Sequence, residues 1–125
     1  MAIPLSDLII GFNRNPGVSA RLALYAALKG RELYVATPTL PSVTSGEKAP
    51  LMLPLVTAET REGRKALLAF CDAAEIASLE GRLFPLRLTV ADAMRVVLAH
   101  TYEALVIRTG TTWVGIPRED SRHVL

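Results

Sequence analysis

Twice in this chain an apolar run of strand length passes straight into a helix-capping residue. Lys65 to Cys71 leads into Asp72, and Phe84 to Leu88 leads into Thr89. Each cap is followed three residues later by a carboxylate, Glu75 and Asp92, which is the spacing of a capping box. Such junctions demand that a sheet and its helices share one core, so they point to an α+β domain.

The rest of the chain fits the same scheme. Leu5 to Phe12 has Leu5, Leu8, Ile9 and Phe12 at helical spacing, and Asn15-Pro16 reads as a cap and first turn for a second helix through Leu22, Tyr25 and Leu28 to Gly30. Residues 1–30 are thus expected to form a helical hairpin. Leu33 to Ala36 is a short strand. Thr37 to Pro50, rich in Pro, Thr, Ser and Gly, is expected to be a mobile loop.

Leu51 to Thr57 and Lys65 to Cys71 predict an antiparallel hairpin around the polar turn Glu59 to Gly63. Ile76 and Leu79 give the next helix a buried face before Gly81. The helix after Thr89 buries Val90, Met94, Val97 and Leu98. Ala104 to Thr109 and Thr112 to Ile116 form a last hairpin, with Gly110 suited to a positive-φ turn position. The expected fold is a single α+β domain over residues 1–125, its mixed or largely antiparallel sheet of five or six strands covered by helices on one face.

With 125 residues, half of them apolar, the chain can bury a core without disulfide or metal staples. Its net charge is 14 − 12 = +2, and the arginines are scattered from Arg14 to Arg122. No dense basic face is predicted, so nucleic acid is not the expected partner. Cys71 is the sole cysteine, which rules out an intramolecular disulfide and suits a reducing cytoplasm. No segment has the roughly 20 apolar residues of a membrane span, and the start lacks the form of a secretory signal.

The chemistry-bearing side chains are sparse. His100, His123 and Cys71 contain no short-spaced ligand pair, so neither a metal nor a cofactor is expected. His100 falls at a helix end, where a cation suits the dipole. Thr44 to Lys48 only faintly echoes a phosphate loop. Cys71 precedes a helix N-terminus, a position that can activate a thiol, yet no base accompanies it; packing at a strand end is the simpler role. Tyr34 and Trp113 lie on strands that could flank an edge, where an aromatic offers a flat surface to a partner, though Trp113 is expected mainly in the core.

The order of these elements resembles the SseB-like N-terminal domain, the family named for the enhanced serine sensitivity protein. Leu22 to Val35, Leu51 to Val56, Ala69-Phe70-Cys71-Asp72 leading into Ala73 to Leu79, and Ala104 to Ile107 carry the resemblance. The family commonly has Phe-Thr-Ser or Phe-Thr-Asp where this chain has Phe70-Cys71-Asp72, and Asn-Pro-Gly where it has Arg108-Thr109-Gly110. The resemblance implies an α+β bacterial protein without an established cofactor. The expected function is non-catalytic: binding another protein, or self-association, through Tyr34, Phe70, Cys71, Asp72 and Trp113. The alternative is a small ligand-binding or enzymatic domain with a pocket near Cys71.

Overall fold

The computed structural model describes residues 3–38, 55–79 and 82–125. In chain order these form helices α1 (Leu5–Arg14) and α2 (Val18–Leu28), strands β1 (Glu32–Thr37), β2 (Thr57–Glu59) and β3 (Lys65–Phe70), and the short helix α3 (Ala73–Ala77). Then follow β4 (Phe84–Thr89), α4 (Val90–Ala99), β5 (Ala104–Thr109), β6 (Thr112–Pro117) and a 3-10 helix over Arg118–His123. The result is one α+β domain with a six-stranded mixed sheet.

The sheet runs β4-β1-β3-β5-β6, with β2 also paired to β3. All pairs are antiparallel except β3 with β5. Strand periodicity of two sorts the side chains onto the two faces. Leu33, Val35, Leu67, Ala69, Leu88, Leu105, Ile107, Val114 and Ile116 pack on one face. Against them lie Ile9 and Phe12 of α1, Leu24 and Leu28 of α2, and Met94 and Val97 of α4.

The alternate residues build a second, smaller cluster on the opposite face, where Ala36, Phe70 and Ile76 are buried with Tyr34, Val56, Leu68, Leu79 and Leu83 around them. Helices therefore cover both faces, not one. The correction follows from β3, which is apolar on both faces and must be covered twice. Phe70 is only 1% exposed, and truncating such a ring costs about 3–5 kcal/mol.

Both strand-to-helix junctions form as the caps require. The Asp72 carboxylate accepts from the Ala74 N–H at 3.0 Å, and the Thr89 hydroxyl accepts from the Asp92 N–H at 3.0 Å. The carboxylates three residues on do not complete capping boxes. Glu75 turns to the Gly110 N–H, and Asp92 pairs with Arg95 at 2.6 Å.

Several boundaries differ from expectation, Thr37 among them, which ends β1 and does not open the loop. Helix α1 runs on to Arg14, and the Asn15 N–H bonds the Phe12 carbonyl as its C-terminal stop; Pro16 then lies in the turn, and α2 starts at Val18. Strand β2 begins at Thr57 and not at Leu51. Ahead of it Val56 already bridges the sheet, donating to Ala36 O at 2.9 Å and accepting from Leu68 N at 3.3 Å. Helix α3 ends at Ala77, before Leu79. The expected loop beyond Pro38, the residues Leu51 to Pro54, the phosphate-loop echo at Thr44 to Lys48 and the Gly81 stop lie outside the described residues.

Candidate functional site

Strand β6 ends the sheet, and its pairing register decides which backbone groups face outward. The two-residue turn makes Thr109 and Thr112 a hydrogen-bonded pair, so Ile107–Val114 and Leu105–Ile116 are the next ones. Trp113 and Gly115 consequently aim their N–H and C=O groups away from β5, at the open edge. Both carbonyls are capped by side chains from the helices. Asn13 Nδ2 donates to Trp113 O at 3.0 Å, and Arg21 Nη1 donates to Gly115 O at 3.0 Å. The two N–H groups meet no acceptor among the described residues.

Arg21 sits on α2 where one turn of helix faces the edge. Its guanidinium lies 5.0 Å from the Phe12 ring centroid and 5.9 Å from that of Tyr25. It also donates to the Tyr25 hydroxyl at 3.0 Å, which in turn donates to Asp120 at 2.6 Å. Burial and the Asp120 carboxylate raise the Tyr25 pKa, so the phenol stays a donor. His123 stacks on Tyr25 at 5.7 Å between centroids. No carboxylate pairs directly with Arg21 among the described residues.

Two open clefts meet at Phe12 and Arg21. One, of about 440 Å³, runs along Pro16, Val18, Leu22 and Tyr25; the other, of about 480 Å³, follows the edge from Thr111 to Gly115. Both carry exposed apolar side chains. Val18 is 80% exposed, Leu22 50% and Trp113 59%. A Cβ at position 115 would sit 3.6 Å from the Trp113 ring, so the indole leans over the glycine.

The residues singled out from sequence are partly brought together. Tyr34 pairs with Phe70, Phe70 with Arg108, and Arg108 with Trp113, forming one row across the outer face of the sheet. Tyr34 is not at an edge, because β1 lies between β4 and β3. Phe70 is covered by Ile76 of α3. Trp113, expected mainly in the core, is exposed: Val114 and Ile116 take the inward positions of β6 and leave position 113 outward. That alternation is readable in the sequence. Arg21, Tyr25 and Asp120 were missed, because their contacts join residues 94 and 95 positions apart.

Cys71 lines neither cleft. Its N–H donates to Arg108 O at 3.2 Å, and Asp72 is occupied as a cap. Burial, aided by the neighbouring Glu75 and Asp72 charges, pushes the thiol up to about 12. Such a thiol is protonated at neutral pH and is no nucleophile. His100 caps the C-terminus of α4 and stacks on Tyr102 at 5.4 Å. No group of three or more potential metal ligands converges among the described residues, and none of their helices is long and apolar enough to cross a membrane.

Residues 5–119 match the family model of the SseB protein N-terminal domain. No curated protein and no solved structure matches the chain.

Proposed function

We propose that this chain, which belongs to the SseB protein N-terminal domain family, is a non-catalytic binding or regulatory domain of a bacterial cytoplasmic protein. Its docking surface for another protein is the edge of β6 with the adjoining face of α2. One observation carries the proposal: the only tryptophan is 59% exposed on an edge strand, in a cleft that meets at Phe12 and Arg21 the cleft lined by the exposed Val18 and Leu22. Indole and aliphatic surface left in water gains about 25 cal/mol per Å² when a partner covers it. Tryptophan is also the residue most often found to dominate protein interfaces.

The chemistry near Cys71 gives the enzymatic alternative no support, since a thiol held protonated cannot attack. The test compares capture of partner protein by the parent chain with capture by a Trp113→Ala, Leu22→Ser variant. Both should show the same circular dichroism and cooperative melting. The protein retained by the parent should be lost from the variant. Equal capture by both, or no stoichiometric capture by the parent, would overturn the docking role.

A further inference from the structure

We infer that the β6 edge recognises the C-terminal residue of its partner protein, with the terminal carboxylate held by Arg21 and an apolar side chain against Trp113, which lines the same cleft. This rests on the docking role proposed above and specifies what that surface grips. The polar groups of the edge are almost all donors. The Trp113 and Gly115 N–H groups point outward, while the matching carbonyls are already taken by Asn13 and Arg21. A ligand rich in acceptors fits this set, and a ligand that must donate does not.

Charge points the same way. Arg21 is half-buried against Phe12, and Arg108 lies on the opposite side of the same edge, cross-strand from Trp113. Arg108 spends its Nε on Gly110 O at 2.8 Å. Neither guanidinium has an ion pair among the described residues. Asp120 reaches Arg21 only through the Tyr25 hydroxyl. A partly desolvated guanidinium with Nε and Nη2 donors left over is suited to a two-oxygen acceptor.

The caps favour a chain end over a through-running strand. A strand added along β6 would need the Trp113 and Gly115 carbonyls, and would have to displace Asn13 and Arg21 to reach them. A terminal residue needs neither. It brings two carboxylate oxygens, one side chain and no continuing backbone.

The experiment is a titration of the full chain, isotopically labelled, with three small probes read at the Trp113 and Gly115 amides and the Trp113 indole N–H. The probes are N-acetyl-leucine, N-acetyl-leucine amide and the α-amide of N-acetyl-aspartic acid. N-acetyl-leucine should shift these signals with a Kd of order millimolar, as its size allows. Both amides should bind about tenfold more weakly. Arg21→Gln should erase the preference for the free carboxylate, and Arg21→Lys, which keeps the charge without the fork, should reduce it and serves if the glutamine variant does not fold.

Equal shifts from N-acetyl-leucine and its amide would overturn the carboxylate anchor while leaving the protein-docking surface standing. The aspartate derivative binding as well as N-acetyl-leucine would overturn the chain terminus as the source. No shift from any probe would also overturn the anchor, and the capture experiment with Trp113→Ala, Leu22→Ser decides the docking role separately.

Discussion

The carboxylate of Glu75 accepts the backbone N–H of Gly110 at 2.6 Å, joining the first turn of α3 to the tip of the β5–β6 hairpin across 35 positions of sequence. A charged acceptor on a backbone donor is worth about 1.5–3 kcal/mol. Glu75→Ala should lose roughly that amount in chemical denaturation, and Glu75→Gln, which keeps a side-chain acceptor, should lose less. Equal losses would mean that the negative charge, which glutamine lacks, carries the bond, and no loss in either variant that the bond contributes little.

Gly110 itself has φ +59, a left-handed conformation at the hairpin turn, with open space where a Cβ would go. Strain alone then sets the effect of substitution. Gly110→Val should cost about 1–2 kcal/mol or more, whereas Thr111→Ala should stay within about 0.5 kcal/mol. A pair of melting curves distinguishes the two.

Thr101 carries the one positive φ among non-glycine residues described, +55. It closes α4 with two backbone bonds, Tyr102 N to Val97 O at 3.0 Å and Thr101 N to Leu98 O at 3.4 Å, the pattern in which glycine is usual. The Thr101 hydroxyl recovers part of the strain by donating to His100 O at 2.6 Å. Thr101→Gly should raise stability by about 1 kcal/mol and move the melting midpoint upward.

The Cys71 thiol, held near 12, should react slowly with iodoacetamide in the folded protein at neutral pH and rapidly once unfolded. A second consequence concerns stability. The unfolded thiol loses its proton near 9 and the folded one near 12, so the folded state keeps the proton longer. The contribution of this group is complete below about pH 9 and falls as pH rises from there toward 12. Cys71→Ser should remove that fall, seen as a parent-minus-variant difference that shrinks only in alkali.

Trp113 is the sole fluorophore of its kind, so its environment is easily read. Folded protein should emit at a solvent-like wavelength and be quenched efficiently by acrylamide. Trp113→Ala should cost less than about 1 kcal/mol, far below a buried aromatic. A blue-shifted, protected indole would place Trp113 in an interface already formed in solution.

Much of the architecture was legible because its signals are local. Asp72 and Thr89 announce their helices by side-chain chemistry, and the alternation in Ala104 to Ile116 announces the hairpin. What could not be read is non-local. Nothing in Phe84 to Thr89 says that it crosses to the far side of β1, or that Ala104 to Thr109 takes the place beside β3. The same limit hid the site: Trp113 stands out as a residue type, but Arg21 and Asn13 acquire meaning only when α1 and α2 fold against β6.

The parallel pairing of β3 with β5 bears on how the chain is born. As the ribosome delivers it from the N-terminus, β3 acquires β1 and β2 along one side early. Its other side has no neighbour until residues 104–109 emerge, and β4, made in between, goes to the opposite edge of the sheet. While the chain between Phe70 and Ala104 is made, the central strand therefore exposes unpaired backbone and apolar side chains, a state prone to aggregate. Pairing of β5 with β3, once the last hairpin is made, is what ends that exposure.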